Sequence, residues 1–326
     1  MTKPEGPSPN LSNVRTPWHR FLEEVEPLRP ELYRYCRHLT RSPWDAEDLV
    51  QDTLARAFVM LGCVAGDIAN PRAWMFRVAS NLWLNQVRRA RELATDDLRA
   101  REAPEATVDP RTTREAAGTL VSLLSPQERA AVVLKDVFAF SLEEVAETLS
   151  TSVGAIKAAL HRGRGKLSEP SEETSAIVKP AVLDAFTDAF NARDLDRLTA
   201  LLVESVTMEF PGLHVEHTVE GARKGPLAGV LYGNPASDHS PIAPQFRNGV
   251  LPQAPRLEIR IHRGEALLLG WFAHEDGDAV RAISRVDVED DRICRVRTYM
   301  HQPEVLAEIC KELDVPFRSS GHRHWW

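Results

Sequence analysis

One helical segment carries polar side chains whose types and spacing suit contact with nucleic acid. The segment is NPRAWMFRVASNLWLNQVRRAR, residues 70–91, and it contains no acid before Glu92. Arginine neutralises phosphate and stacks on bases, whereas asparagine both donates to and accepts from a base edge. The pattern predicts a face that meets single-stranded or melted nucleic acid, with a solvated face or a cationic complement to the helix dipole as the alternative. We call this face the Arg/Asn stripe; its residues are Arg77, Asn81, Asn85, Arg88 and Arg89.

A second basic motif occupies residues 141–167, SLEEVAETLSTSVGAIKAALHRGRGKL. Apolar positions at helical spacing predict two short helices joined by a tight turn, and the basic end of the second helix indicates a DNA-binding helix-turn-helix rather than an ordinary αα-hairpin, which is the alternative. Gly163 and Gly165 weaken a helix interior, so we expect them at its frayed end. The candidates for DNA contacts are Ser152, Lys157, His161, Arg162 and Arg164.

Helix starts are marked by capping side chains that precede proline. These pairs are Thr16-Pro17, Ser42-Pro43, Asn70-Pro71 and Ser125-Pro126, and S-x-x-E capping boxes begin at Ser125 and Ser141. They predict helices over about 17–39, 43–60, 71–91, 126–137 and 141–149, and another from about 153. Residues 92–117 mix both charge signs with two prolines and lack an apolar period, which predicts a flexible linker.

The pattern changes after the polar stretch SEPSEETS at 168–175. Helices near 180–191 and 194–203 are expected, followed by the strand-like runs VTMEF, RLEIRIH, ALLLGWFA, AVRAISRVDV and RICRVRTYM, with a hairpin turn at Asp290-Asp291. This order predicts an α+β domain. Acid–base side chains are available at His214, His217, Asp287, Tyr299 and His301, but no spacing identifies a catalytic pair.

Four arginines fall on neighbouring predicted strands: Arg281, Arg285, Arg295 and Arg297. They predict a sheet face that binds an anion or an acidic segment, or, as the alternative, a solvated sheet face.

Bulk properties limit the classes of function. The chain has 326 residues, enough for two or three domains, and its net charge of −7 and pI of about 5.9 argue against general coating of nucleic acid. There is no apolar leader near the start and no apolar run of about 18 residues, so we expect a cytoplasmic protein that does not contact membranes. Its four cysteines lie far apart without a CxxC pair, which indicates neither a disulfide framework nor a zinc site and predicts reduced, packed thiols. We expect no metal and no cofactor.

Residues 18–168 resemble an extracytoplasmic-function (ECF) sigma factor of bacterial RNA polymerase. SPWDAEDLVQDTLARAF at 42–58 is similar to region 2.2, PRAWMFRVASNLWLNQVRR to regions 2.3 and 2.4, and LSPQERAAVVLKDVFAFSLEEVAETLSTSVGAIKAALHRGRGKL to region 4. The resemblance implies two partners, promoter DNA and the polymerase core. The Arg/Asn stripe would open the −10 element, and the helix-turn-helix would recognise the −35 element beside the flap of the second-largest subunit. The clamp of the largest subunit would be contacted by Asp48, Gln51, Asp52 and Arg56.

The sequence departs from that family at several contact positions. Ser80 and Asn85 stand where arginine and aspartate are usual, and Ala158-Ala159 stand where the recognition helix usually has serine and arginine. Alanine makes no bidentate base contact. Lys157, Arg162 and Arg164 are therefore expected to contact phosphates, which positions the domain without specifying a sequence.

Residues 180–310 resemble a SnoaL-like domain, the curved-sheet cone shared with ketosteroid isomerase. The resulting division is a flexible N-terminus at 1–17, sigma region 2 at 18–91, a linker at 92–117, region 4 at 118–168, a linker at 169–179, the cone at 180–310 and a tail at 311–326. We expect a regulatory cone that contacts the sigma domains, its arginines meeting the acidic linker, and no enzyme activity. The alternative is a ligand-binding or enzymatic cone fused to a helix-turn-helix regulator.

Overall fold

The computed structural model describes residues 21–63, 68–100, 124–166, 180–212, 214–227, 255–274 and 276–319. The chain divides into two compact units, Met1–Thr174 and Ser175–Trp326. The described part of the first unit is helical, and the second combines helices with a six-stranded sheet. The predicted fold class, helical domains followed by an α+β domain, is confirmed. The predicted flexible N-terminus, the linker at 169–179 and the last part of the tail, 320–326, lie outside the described residues.

A π turn (Phe21–Val25) and a 3-10 turn (Glu26–Leu28) lead into the helices of the first unit. These are α1 (Arg29–Thr40), α2 (Pro43–Cys63), α3 (Pro71–Ala100), α4 (Pro126–Val132, continued by a π turn at Val133–Val137), α5 (Leu142–Thr148) and α6 (Val153–Lys166).

The helix starts predicted at Ser42, Asn70, Ser125 and Ser141 are confirmed, whereas the segment predicted as a helix over 17–39 is α-helical, among its described residues, only from Arg29. Asn70 Oδ1 accepts a hydrogen bond from the Ala73 amide at 3.0 Å, and both predicted capping boxes form, at Ser125 and at Ser141. The end of α3 differs from the prediction, because the helix continues past Arg91 to Ala100. The added residues ELATDDLRA include several strong helix formers and no proline or glycine, so nothing stops the helix there.

A buried ion pair joins α1 to α2. Glu47 is fully buried, and Arg29 donates from Nη2 to its Oε1 at 2.5 Å. Nearby, Tyr35 stacks on Phe76 with ring centroids 4.5 Å apart. Pairing is what makes burial of such charges tolerable in the core of the first unit.

Gly163 lies inside α6 rather than at a frayed end, which corrects the expectation for this residue. It is buried, and a Cβ built on it would stand 2.9 Å from Val132 Cγ2. The close approach of α6 to α4 therefore requires glycine at this position and outweighs its poor helix propensity.

The second unit begins with α7 (Val182–Asn191) and α8 (Leu195–Ala200). Then follow β1 (Leu202–Phe210), β2 (His214–Glu216), α9 (Val219–Ala222, continued by a π turn at Arg223–Leu227), β3 (Arg256–His262), β4 (Glu265–Phe272), β5 (Ala279–Glu289), β6 (Arg292–Tyr299) and α10 (Pro303–Glu312). The sheet order is β2-β1-β6-β5-β4-β3; β1 and β6 are parallel, and the other neighbours are antiparallel.

Every predicted strand is present, and β2 is the addition. Its three residues are too short for an alternation pattern to reveal. The predicted turn at Asp290-Asp291 is confirmed, since both residues have positive φ, 48° and 58°, as a tight hairpin between β5 and β6 requires.

One face of the sheet is apolar, and the other carries ion pairs as well as buried apolar side chains. Alternate positions Leu268, Val286 and Val296 join the apolar cluster that includes α7 and α8. The intervening positions of β1 and β6 carry Glu209 and Arg297, which are cross-strand partners. This alternation places a cavity on the first face and ion pairs on the second.

Candidate functional site

Most of the Arg/Asn stripe is exposed on α3. Asn81, Asn85, Arg88 and Arg89 are solvent-exposed, whereas Arg77 is half-buried. Arg88 donates to Asn85 Oδ1 at 3.1 Å and lies 3.9 Å from Glu92, and both Arg88 and Arg89 lie on the surface. The stripe is therefore a continuous polar surface of amides and cations.

The opposite side of α3 is core. Met75, Phe76 and Ala79 are fully buried and Trp83 nearly so, while Trp74 is only half-buried. Ser80, which departs from the family pattern, is also buried; it bonds to the Tyr35 hydroxyl at 2.7 Å and donates to the Phe76 carbonyl at 2.6 Å. An arginine at this position would need a different local packing.

The predicted helix-turn-helix is present as α5 and α6. Ser152 Oγ accepts from the Ala155 amide at 3.2 Å and so caps α6, which gives this serine a structural role. Ile156, Ala159 and Leu160 are buried, whereas Lys157, Ala158 and His161 are exposed. Ala159 is thus a packing residue, and only Ala158 of the alanine pair lies on the surface.

Two basic residues of α6 already have acidic partners in their own unit. Arg162 donates from Nε to Glu128 Oε1 at 2.8 Å, and Arg164 makes a two-pronged contact with Asp136 that raises the pKa of its guanidinium. Their charge is therefore partly neutralised within the unit. Lys157 and His161 are also exposed, and no ion pair is found for either of them within the described residues.

The residues expected to contact the polymerase clamp lie along α2. Asp52 and Arg56 are exposed, and Asp48 and Gln51 are half-buried. Gln51 donates to the buried Glu47 at 2.7 Å, and Gln86 of α3 donates to Asp52 at 3.4 Å. The four side chains share one helix, and the ordering of Gln51 depends on the buried ion pair beneath it.

A contact that the sequence does not predict joins α1 and α3 to the second helical part, α4–α6. Arg72 pairs with Glu31 at 2.6 Å, donates to the Phe138 carbonyl at 3.2 Å and lies 4.5 Å from the centroid of the Phe140 ring. The Phe138 ring packs edge-on to Phe76 at 5.1 Å. We call this group the Arg72 contact.

Two further arginines, like the Arg72 contact, join α1 and α3 to α4–α6. Arg129 donates to the Leu39 carbonyl at 2.7 Å and lies 5.7 Å from the centroid of the Trp83 ring; burial, with the nearby charge of Arg41, lowers its pKa to about 10. Arg77 of the stripe is paired with Glu147 of α5. In this arrangement Arg77, the first residue of the Arg/Asn stripe, forms an ion pair with the helix-turn-helix.

The four arginines of the C-terminal sheet have contacts inside their own unit. Arg285 donates to Glu265 at 2.7 Å, and Glu209 accepts from Arg295 at 2.7 Å and from Arg297 at 2.9 Å. Arg281 lies 5.5 Å from the centroid of the Phe272 ring. Arg285, Arg295 and Arg297 therefore have acidic partners on neighbouring strands of the same sheet.

An apolar cavity lies on the other face of the sheet, under α7. It measures about 620 Å³ up to its open mouth, and among the described residues that line it are four phenylalanines and a hydroxyl pair, Ser284 and Thr298. Those hydroxyls bond to one another at 2.8 Å. None of the acid–base candidates is among the lining residues of the described part.

The sequence also predicts no metal site and no contact with membranes. Within the described residues no group of histidine, cysteine, aspartate and glutamate side chains is arranged to hold a metal ion, and no helix is long and apolar enough to cross a membrane. The cysteines are free, and Cys36 and Cys310 are buried; burial raises the pKa of both thiols, that of Cys310 to about 12. Cys63 is exposed, contrary to the expectation that all four are packed.

Comparison with known proteins assigns both helical parts. Sigma-70 region 2 matches residues 25–92, and Sigma-70 region 4 matches residues 114–167. The ECF RNA polymerase sigma factor SigG of Mycobacterium tuberculosis is 33% identical over 227 residues, covering 59% of this chain and 61% of SigG. The probable ECF sigma factor SigI of the same organism is 30% identical over 208 residues, covering 59% of this chain and 70% of SigI.

A solved structure matches over more of the chain. The crystal structure of the M. tuberculosis ECF sigma factor SigJ is 24% identical, covers 87% of this chain and 97% of SigJ, and superposes with a TM-score of 0.31. The chain spans about three fifths of the length of SigG, the first curated relative. Since regions 2 and 4 match in order and 70% of SigI is covered at 30% identity, the chain belongs to the ECF family of RNA polymerase sigma factors.

Proposed function

We propose that the chain is a promoter-specificity subunit of RNA polymerase. It binds the core enzyme, recognises a −35 element with α5 and α6, and helps to open a −10 element with the Arg/Asn stripe. The observation that carries the proposal is the exposure of Asn81, Asn85 and Arg88 on a helix whose other face is core, in the same unit as a helix-turn-helix. An exposed row of amides and cations suits unstacked bases and phosphates.

Contacts with the core enzyme are assigned to the exposed side of α2. Asp48, Gln51, Asp52 and Arg56 supply both charges and one amide there, and the neighbouring buried face fixes the helix against α1 and α3. Among the predicted −35 contacts, Lys157 and His161 are the residues that bind DNA without first leaving an acidic partner. Arg162 and Arg164 exchange their carboxylate partners for phosphate when DNA binds.

The Arg72 contact adds a conformational step to this function. Each base pair adds about 3.4 Å along the duplex, so helical parts that bind two separated promoter elements must stand apart. The packing of α4–α6 on α1 and α3 is therefore a closed arrangement that opens on the polymerase. Arg77 is released from Glu147 in the same step and completes the stripe.

For the C-terminal unit we propose a regulatory, non-enzymatic role. The support is the composition of its cavity, whose described lining residues include no acid, base or metal ligand. Deleting residues 180–326 is expected to change promoter-dependent transcription severalfold while binding to the core survives. Unchanged transcription at matched protein levels would assign the unit a role independent of the polymerase.

Two binding measurements separate this proposal from a conventional DNA-binding regulator. The full chain is mixed with polymerase core and examined by gel filtration, and separately titrated into promoter duplex without core. We expect comigration with core and weak duplex binding by the chain alone, because its net charge is −7. Tight duplex binding without core, together with no comigration, would instead identify a regulator.

A further inference from the structure

The cavity of the C-terminal unit is a partly open, largely apolar pocket. Its volume of about 620 Å³ includes the open space at the mouth, so the part enclosed by protein is smaller. It is walled by α7, by the π turn after α9 and by one face of strands β1, β3, β4, β5 and β6. All of these elements belong to one unit.

The lining favours uncharged ligands because it combines aromatic rings with hydroxyls as the only polar side-chain groups among its described residues. Phe186 and Phe190 come from α7, and Phe210 and Phe272 come from β1 and β4. The described lining includes no charged side chain. A charged ligand would lose its hydration here without an ionic partner, so the cavity excludes it.

The polar group is a pair of hydroxyls on adjacent strands. Ser284 and Thr298 are cross-strand partners, and their oxygens are 2.8 Å apart. Two hydroxyls carry two protons, and their mutual bond uses only one of them. The second proton and the remaining lone pairs are available to a group inside the cavity.

The strand register keeps charge away from this space. Ser284, Val296 and Thr298 face the cavity, while the alternate positions on β5 and β6 place Arg285 and Arg297 in ion pairs with Glu265 and Glu209. Alternation along a strand thus separates the neutralised arginines from the cavity.

We propose that this cavity binds an uncharged, largely apolar small molecule that carries one carbonyl or hydroxyl group. The apolar body of the ligand packs among the phenylalanine rings, and its polar group bonds to the Ser284–Thr298 pair. This inference concerns the second unit alone and does not rest on the proposed promoter function.

The test uses Nile red, an uncharged aromatic dye with a ring carbonyl, titrated into the full chain and followed by fluorescence. Saturable one-to-one binding is expected, with at least tenfold weaker binding of the anionic dye 1-anilinonaphthalene-8-sulfonate. Ala282→Phe should weaken Nile red binding at least tenfold by filling the cavity. Ala282 lines the cavity beside its cross-strand partner Gly270, which has no side chain.

The matched control is Ala200→Phe, which adds the same ring at an exposed position of α8 and should leave the dissociation constant within twofold. Absence of saturable binding, or equal binding by Ala282→Phe and Ala200→Phe, would overturn the proposal.

Should Ala282→Phe fail to fold, Thr298→Val tests the hydroxyl pair with almost no change in volume. We expect it to weaken Nile red binding about threefold and to leave the binding of pyrene, which has no polar group, unchanged. Equal effects on the two dyes, or none on either, would show that no ligand group bonds to the pair.

Discussion

Asn81 and Arg88 are the residues on which the assignment of the stripe depends. Both are exposed, and neither supports the core. The double variant Asn81→Ala/Arg88→Ala should therefore change the free energy of unfolding by no more than about 0.5 kcal/mol. Loss of base and phosphate contacts should weaken open-complex formation by about 1–3 kcal/mol, measured by permanganate reactivity of −10 thymines.

Two comparison variants separate DNA contact from stability. Arg34→Ala removes an exposed arginine of α1 and should affect neither quantity. Phe76→Ala removes a fully buried ring and should cost about 3–5 kcal/mol of unfolding free energy. Equal losses of stability in Phe76→Ala and in the double variant would contradict the surface assignment.

Replacing Gly163 by alanine should change the free energy of unfolding in the direction opposite to the one that helix propensity predicts. Alanine is favoured over glycine inside a helix by about 1 kcal/mol, yet a Cβ here would meet Val132 Cγ2 at 2.9 Å. Gly163→Ala should therefore lower the free energy of unfolding, by about 1–3 kcal/mol, in urea denaturation. The control Gly154→Ala, where the nearest atom is Ser152 Oγ at 3.9 Å, should be neutral or stabilising. Stabilisation by both changes would show that α6 moves away from α4 at little cost.

At the scale of elements, the Arg72 contact sets the relation of α1 and α3 to α4–α6. Arg72→Ala removes the ion pair with Glu31, the bond to the Phe138 carbonyl and the cation–π contact with Phe140. The open arrangement should then become more populated. With dyes on the exposed Cys63 and on Ala158→Cys, energy transfer should fall in the variant and fall further when core is added. Equal transfer in both proteins, with and without core, would contradict the closed arrangement.

The parts of these elements that could be predicted depend on residues close together in the sequence. Each capping box, at Ser125 and at Ser141, involves four consecutive residues, and the late strands follow from the alternation of apolar and polar residues. The Arg72 contact and the Arg29–Glu47 pair join residues far apart in sequence. Periodicity identifies a buried face but does not specify its partner, so these contacts could not be predicted from the sequence.

The charged face of the sheet predicts a pH dependence for the second unit. Burial alone would raise the pKa of Glu209, but the hydrogen bonds and charges of Arg295 and Arg297 outweigh burial and lower it. Because the folded pKa lies below the unfolded value of about 4.3, the stabilisation is present above that pH and is lost as the pH falls through the folded pKa. In calorimetry, the melting temperature of Glu209→Gln should lie below that of the wild type at pH 7, and the gap should narrow below about pH 4.

The control for this experiment lies on the same strand. Glu204 is exposed, so Glu204→Gln should follow the wild type at every pH. A gap between Glu209→Gln and the wild type that stays constant down to pH 3 would assign the effect to packing rather than to charge.

At the scale of the whole molecule, the net charge of the chain and the charge of the stripe have opposite signs. The chain carries a net charge of −7, while the stripe on α3 is cationic and amide-rich. A net negative charge disfavours encounter with duplex DNA, so under the proposed function the stripe would act where the polymerase holds promoter DNA close to it. This difference in sign explains why the overall composition does not predict a DNA-binding role, whereas the segment 70–91 does.

Transcription itself tests the central claim most directly. Polymerase core is incubated with genomic DNA fragments, with and without the full chain, and the 5′ ends of the transcripts are mapped. We expect a set of start sites that depend on the chain and share two upstream elements at constant spacing, and that weaken together in Asn81→Ala/Arg88→Ala. Identical start sites with and without the chain would contradict its assignment as a promoter-specificity subunit.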